Sequence, residues 1–300
     1  MIHDVPHNGL AIAKANGIEI AYDTFGRRSD PALLLIMGLG VQMIVWYDEF
    51  CKRLAARGYL VIRFDNRDTG LSTKLHWASA PRMSALMGDR MRGEPLHVPY
   101  TLADMADDAI GLLDALRIDF AHVVGLSMGG MIGQIMALRF PVRIRSLTSI
   151  MSTTGDRKLP PAKPEALAVL FAPIPTERAA YIESWLNLWR VLSGPQIPVE
   201  ESLGRKWAEL SYDRGLNPDG FLRQMAAVLA SGSRKEALKS LTVPTLVLHG
   251  DADPLVPLEC GIDTANSIPG AKLRIIEGMG HTLPEAVWSQ VIDAIASHAS

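Results

Sequence analysis

Apolar residues along this chain alternate between two spacings. Short segments rich in apolar residues, continuous at 32–37, predict strands of a parallel sheet, and apolar residues three or four apart predict the helices between them. The predicted strands cover residues 32–37, 59–64, 120–124, 144–151, 244–248 and 272–276, preceded by a half-exposed strand at 18–23. The predicted helices cover residues 47–56, 102–116 with Thr101 as N-cap, 128–139, 258–267 and 284–296.

Strands that alternate with helices predict an α/β fold, with a doubly wound, mostly parallel sheet and helices on both of its faces. The alternation stops between residues 156 and 233, where proline-rich segments and two helical patterns, near 178–192 and 201–212, replace it. We therefore expect a core domain made of residues 1–155 and 234–300, with a helical cap inserted at 156–233.

Composition and charge narrow the class of protein. The chain has 300 residues, 48% of them hydrophobic, with 30 basic and 32 acidic side chains and a net charge of −2, which does not favour a nucleic-acid partner. The N-terminus lacks the pattern of a secretory signal, and the longest apolar stretch, residues 32–41, is too short to cross a bilayer. We expect a cytoplasmic protein without a membrane partner; the oligomeric state stays open. Cys51 and Cys260 fall in predicted helices and are expected to be free thiols, and the eight histidines show no metal-ligand spacing.

Ser127 lies between a predicted strand and a predicted helix, in the spacing Gly-x-Ser-x-Gly. Gly125 and Gly129 have no Cβ, so the backbone can turn tightly there and hold the serine in a strained conformation. The hydroxyl then projects above the sheet, and the helix that begins at Met128 directs its free N–H groups to the same place. This context indicates that Ser127 is a nucleophile.

Two more polar turns follow the last two predicted strands. The first contains His249, Asp251 and Asp253, and the second contains His281. A serine nucleophile needs a base within hydrogen-bond reach, and a histidine base needs an acceptor on its other nitrogen. These needs predict His281 as the base and Asp253 as the acid. Asp251 is a competing acid, Asp156 is a more distant one, and His249 is expected to be structural.

The sequence resembles the α/β-hydrolase superfamily over nearly its whole length. The segments that carry the resemblance are Gly125-Leu126-Ser127-Met128-Gly129-Gly130, the turn at 249–257 and Gly278-Met279-Gly280-His281. The turn at 65–72 and Met37-Gly38 are similar to the branch that contains aclacinomycin methylesterases. The resemblance implies a triad of Ser127, Asp253 and His281, and an oxyanion hole formed by the backbone N–H groups of Leu39 and Met128. Many members have His-Gly where this chain has Met37-Gly38, but backbone donors do not depend on that side chain.

The function expected from these residues is hydrolysis of carboxylic esters through an acyl-enzyme, without a cofactor or metal. A low-charge insertion above the serine favours a small-molecule ester with a short or medium acyl chain, about C2 to C8. Two alternatives remain. One is a cofactor-free perhydrolase, similar to haloperoxidases, that uses the same triad. The other is a non-catalytic binding protein on the same fold.

Three further segments carry weaker signals. Asp65, Arg67 and Asp68 are expected to form a buried salt-bridged turn. The segment at 76–99 predicts a short amphipathic helix, with a mobile flap beside the site as the alternative. The aromatic side chains of the insertion are expected to form its own core rather than to contact substrate individually, and they are Tyr181, Trp185, Trp189, Trp207 and Tyr212.

Overall fold

The computed structural model describes residues 5–197 and 200–300 of the chain. Its centre is one sheet of eight strands, which are β1 (His7–Ala15), β2 (Ile18–Phe25), β3 (Ala32–Ile36), β4 (Leu60–Phe64), β5 (Ala121–Leu126), β6 (Ile144–Ile150), β7 (Thr245–Gly250) and β8 (Lys272–Ile276). Their order across the sheet is β1-β2-β4-β3-β5-β6-β7-β8. The β1–β2 and β2–β4 pairings are antiparallel, and the pairings from β4 through β8 are parallel. The predicted α/β fold with a mostly parallel sheet is confirmed.

Helices cover both faces of this sheet. They are α1 (Asp48–Ala55), α2 (Met83–Arg92), α3 (Leu102–Ala115), α4 (Met128–Arg139), α5 (Pro164–Leu170), α6 (Arg178–Ser193), α7 (Glu201–Asp213), α8 (Pro218–Ser231), α9 (Lys235–Leu238), α10 (Leu258–Ser267) and α11 (Glu285–His298). Alternate side chains of β3 enter two separate apolar cores, because successive residues of a strand face opposite sides. Leu33 and Leu35 pack with α1 and α11, whereas Leu34 and Ile36 pack with α3 and α4.

Most predicted elements lie where the apolar pattern put them, and α4, α10 and β8 match the predicted bounds at both ends. Thr101 caps α3 through a capping box with Asp104. Residues 18–23 of β2 are about half buried, as predicted, with Glu19 exposed. The polar Asp23 is buried and pairs with Arg63 at 2.8 Å.

The region between β6 and β7 is helical, as predicted, but contains more helices than the sequence pattern indicated. Two of its helices, α6 and α7, were predicted, and three more, α5, α8 and the short α9, were not. Residues 198 and 199 of the expected cap, and residues 1–4 of the expected core with the N-terminal pattern, lie outside the described residues.

Three smaller predictions can be compared with the structure. The segment at 76–99 contains the short helix α2, whose Met87 and Met91 line a surface groove separate from the cavity described below. Cys51 in α1 and Cys260 in α10 are buried free thiols, as predicted. Within residues 5–197 and 200–300, no helix combines the length and the apolar character needed to cross a membrane.

Candidate active site

Ser127 occupies a strained turn between β5 and α4. Its backbone angles are φ 54° and ψ −117°, a conformation that residues other than glycine rarely adopt. A Cβ on Gly125 would collide with the carbonyl of Gly129, and a Cβ on Gly129 would collide with the carbonyl of Ile36. The turn is held from the next strand, since the Ser127 N–H donates to the Ile150 carbonyl at 2.9 Å. Both motif glycines are therefore required by the close approach of β5, α4 and β3.

The structure brings Ser127, His281 and Asp253 into one chain of hydrogen-bonding groups. His281 Nε2 lies 3.0 Å from Ser127 Oγ, and His281 Nδ1 lies 2.7 Å from Asp253 Oδ2. The other Asp253 oxygen accepts the N–H groups of Leu255 at 2.9 Å and Val256 at 2.8 Å. Asp253 and His281 are only 5% and 7% exposed. With a proton on Nδ1, Nε2 is free to accept a proton from the serine hydroxyl.

The competing acids, Asp251 and Asp156, and the second histidine, His249, have other partners. Asp251 accepts the Gly278 N–H at 2.7 Å and so ties the two turns together. Asp156 pairs with Lys235 at 2.9 Å. His249 Nε2 lies 2.8 Å from the Val256 carbonyl, and burial lowers the pKa of this imidazole below its ordinary value. His249 is therefore structural, as predicted, and it supports the turn that carries Asp253.

The loop that follows β3 lies beside the serine. Leu39 lines the cavity next to Ser127, and Met128 is the first residue of α4. The backbone N–H groups of Leu39 and Met128 are those expected to form an oxyanion hole. Gly40 has φ +68°, and a Cβ there would collide with the ring of Phe221 from α8. The loop thus has room for glycine alone at this position.

Gln224 from α8 holds this loop in place. Its Oε1 accepts the Gly40 N–H at 2.7 Å, while its Nε2 donates to the Arg67 carbonyl at 2.7 Å and to Thr69 Oγ1 at 2.8 Å. The side chain is fully buried. No pattern in the sequence marks this residue, because 184 positions separate it from its partner in the loop.

The turn after β4 contains a second group of buried charges. Its ion pairs join Asp65 to Arg214, Arg67 to Asp108, and Asp68 to Arg223. The predicted buried salt-bridged turn is confirmed. Burial raises the pKa of Asp65 despite Arg214, whereas the hydrogen bonds from Arg223, the Leu75 N–H and Tyr100 outweigh burial at Asp68 and lower its pKa. Arg214 and Arg223 come from the 156–233 region, so these pairs fasten that region to the sheet.

A cavity of about 200 Å³ lies above Ser127 and His281. Its lining is mainly apolar, with residues of the loops after β3 and β4, of α6 and of the segment between α7 and α8. Tyr181, Trp185 and Trp189 line it and also pack in the apolar core, as expected for the aromatic side chains of the insertion. Trp207 and Tyr212 are absent from the lining; Trp207 packs on Tyr47, and the Tyr212 ring on Tyr181. Helical periodicity identifies a buried face but not which part of it borders a cavity.

Known proteins share both the fold and the sequence pattern of this chain. Residues 31–285 match the family model described as alpha/beta hydrolase fold. Rhodomycin D methylesterase DnrP of Streptomyces peucetius is 32% identical over 292 residues, which cover 91% of this chain and 92% of that protein. Rhodomycin D methylesterase DauP of Streptomyces sp. strain C5 has the same identity and coverage.

A solved structure shows the same fold at lower sequence similarity. The meta-cleavage product hydrolase CumD of Pseudomonas fluorescens IP01 superposes with a TM-score of 0.74 at 21% identity, covering 96% of each chain. At that identity the likeness concerns the fold alone. The family match spans most of the sheet, the strained serine turn and both late turns, and this chain therefore belongs to the α/β-hydrolase family.

Proposed function

We propose that this carboxylic ester hydrolase cleaves its substrate through an acyl-enzyme formed on Ser127, with His281 as the base and Asp253 as the acid. The observation that carries the proposal is the continuous chain from Asp253 Oδ2 to His281 Nδ1 and from His281 Nε2 to Ser127 Oγ, at 2.7 and 3.0 Å. The chain ends at the floor of a mainly apolar cavity, where an ester carbonyl can approach the hydroxyl.

The steps follow from these contacts. His281 takes the proton of Ser127 as its oxygen attacks the ester carbonyl, and Asp253 stabilises the imidazolium that forms. The N–H groups of Leu39 and Met128 stabilise the oxyanion; one such donor contributes about 3–4 kcal/mol in enzymes where it has been removed. The alcohol leaves with the proton from His281. Water then attacks the acyl-enzyme with His281 as base and releases the carboxylic acid.

The cavity supports a substrate with a short or medium acyl chain. The cavity volume of about 200 Å³ lies below the range of about 300–1,000 Å³ that is usual for small-molecule sites, which favours a small ligand. Each buried methylene contributes about 0.8 kcal/mol, but only until the cavity is full. The names of the two Streptomyces relatives specify methyl esters, which supports a small alcohol as the leaving group.

The 156–233 region is proposed to be a cap on a core made of residues 1–155 and 234–300. Side chains from α6 border the cavity over Ser127, and Arg214 just after α7 and Arg223 within α8 pair with the turn after β4. A cap anchored in this way encloses the substrate. It also accounts for the polar side chains that the region buries against the sheet.

Ester hydrolysis across an acyl series tests this function. We expect kcat/KM for p-nitrophenyl esters to peak between C2 and C8 and to fall toward C16, and fluorophosphonate to label wild-type protein at Ser127 alone. Trp185→Ala and Trp189→Ala should shift the peak toward longer chains, because each enlarges the cavity. A maximum at C16 with activation on emulsions would contradict the closed cavity.

The same samples separate the two alternatives. A non-catalytic binding protein would resist fluorophosphonate. A perhydrolase would brominate monochlorodimedone when given acetate, peroxide and bromide, at a rate comparable with its ester hydrolysis.

A further inference from the structure

The contacts of Gln224 point beyond packing. Its amide joins three backbone or side-chain groups, and each belongs to one of two loops that border the cavity: Gly40 in the loop after β3, and Arg67 and Thr69 in the turn after β4. The residue is buried completely and sits on α8, a helix of the proposed cap. One side chain of the cap therefore ties together both loops.

The position of Gly40 gives this contact a consequence for the reaction. Gly40 directly follows Leu39, whose N–H is the proposed oxyanion donor. The peptide planes on either side of Leu39 are coupled through its own φ and ψ, so an acceptor that fixes the Gly40 N–H also restricts where the Leu39 N–H points. Asn66 holds the other end of the loop, since its Nδ2 donates to the Met37 carbonyl at 3.1 Å.

The surrounding contacts leave α8 little freedom to move. Arg223, its neighbour in the helix, forms a two-bond pair with Asp68 at 2.7 and 2.8 Å. Asn217, just before the helix, donates to the Asp68 carbonyl at 2.9 Å. Phe221 packs over Gly40. The buried ion pair of Arg223 and the hydrogen bonds of the side-chain amides therefore hold α8 as a fixed wall of the site. A lid that opens would lack such contacts.

We propose that Gln224 is a positioning residue for the oxyanion hole, so that the cap helix α8 is a working part of the catalytic machinery rather than only a cover for the substrate. This inference rests on the proposed function, and it deepens it. In the transition state the Leu39 N–H must lie within hydrogen-bond distance of the developing oxyanion. The Gln224 amide holds the Leu39 N–H in that position before substrate binds. Ground-state binding depends much less on that geometry.

The variant that tests the proposal is Gln224→Met, which keeps the length of the side chain and removes both halves of the amide. We expect kcat to fall about 10- to 100-fold, since small misplacement of a catalytic group has effects of that order, while KM changes less than about 2-fold. The affinity for a trifluoromethyl ketone, which forms a tetrahedral adduct on the serine, should fall by the same factor as kcat/KM. The affinity for the product acid, which does not need the oxyanion hole, should stay near that of the wild type.

Gln134→Met is the matched control. Gln134 is an equally buried glutamine on α4, and its amide bonds to Arg234 and the Thr153 carbonyl instead of the cavity loops. Gln134→Met should lower thermal stability about as much as Gln224→Met does, while kcat stays near wild type. If Gln224→Met does not fold, Phe221→Leu loosens the same loop and should lower kcat in the same direction by a smaller factor.

Hydrogen exchange in the resting protein provides a measurement that does not depend on turnover. We expect the amide of Gly40 to exchange faster in Gln224→Met and to stay protected in Gln134→Met. If the Gly40 amide exchanges faster in Gln224→Met but the wild type hydrolyses no esters, the proposed function is wrong and the contact between Gln224 and the loop is still supported. An unchanged kcat in Gln224→Met, or equal losses in kcat in both variants that track their thermal stability, would overturn the positioning role.

Discussion

Two turns at the carboxyl ends of strands bury aspartates, and they differ in the partner that each aspartate has. The turn after β4 pairs Asp65 and Asp68 with arginines. The turn after β7 pairs Asp253 with His281. Both sets of carboxylates are almost completely shielded from solvent, with Asp65 0% and Asp253 5% exposed.

The difference lies in what the partner can do with a proton. An arginine remains charged at every working pH, so its pair with a carboxylate is a permanent link between two segments. A histidine gains and loses its proton near neutral pH, so a carboxylate that orients it supports proton transfer. A buried aspartate is thus not by itself a sign of catalysis. Four predictions test whether the two turns are divided in this way.

The largest effect is expected at the serine itself. Ser127→Ala should fold normally and lose turnover by about 10⁴-fold or more, because the members of a triad act as a unit. Its unfolding transition should keep the wild-type slope with denaturant, since the arginine-paired turn is untouched. Steady-state hydrolysis and fluorophosphonate labelling measure this, with the exposed Ser297→Ala as the control. Turnover that survives in Ser127→Ala would place the nucleophile elsewhere.

The next effect separates the two aspartates of the turn after β7. Asp253→Asn should lower kcat by about 10⁴-fold, because an amide stabilises the wrong tautomer of the imidazole. Asp251→Asn should cost far less, since an amide oxygen can still accept the Gly278 N–H. Comparing kcat of the two variants at one pH decides the assignment. A greater loss in Asp251→Asn would mean that the roles of the two carboxylates are exchanged.

An arginine partner should matter for stability. Arg223→Met leaves Asp68 buried without its cation, and breaking a buried pair in this way costs about 3–5 kcal/mol in the free energy of unfolding. Denaturant unfolding measures the loss. The double variant with Asp68→Asn should recover part of it, because no uncompensated charge then remains. If the single variant unfolds at the wild-type midpoint, the pair is not an anchor.

The smallest effect is a difference in pH dependence between the turns. His281 must be neutral to accept the Ser127 proton, so kcat/KM should fall toward acid pH. The pKa of Asp68 is lowered in the folded protein, where burial is outweighed by the bonds from Arg223. Its contribution to stability is therefore complete above the ordinary aspartate pKa of about 3.9 and is lost only below it.

Activity and unfolding free energy, measured on the same samples from pH 5 to 8, should consequently diverge. Activity falls toward acid pH while the contribution of the Asp68 pair stays constant. A flat activity profile at constant stability would argue against a histidine base.

Prediction from sequence succeeded where information is local. The central strand β3 shows as a continuous apolar run, and the Gly-Leu-Ser-Met-Gly spacing marks a turn too tight for a Cβ at Gly125 or Gly129. Turns that follow parallel strands lie at one edge of the sheet, so the fold alone indicates that Ser127, Asp253 and His281 are neighbours. The edge strand β1 was missed, since five of its first six residues are exposed and no buried run marks it.

The sequence by itself determined the layers of the fold and indicated that Ser127, Asp253 and His281 lie together, because strand ends follow from the apolar pattern and the carboxyl ends of parallel strands meet at one edge of the sheet. Only the tertiary structure decided which parts of the sheet the 156–233 region contacts. Its partners in the turn after β4 lie roughly 150 positions away, at Asp65 and Asp68 for Arg214 and Arg223. No spacing rule connects such residues. Contacts of this kind depend on how helices pack over the sheet, and that packing also settled that Trp185 and Trp189 border the cavity while Gln224 holds the loop beside it.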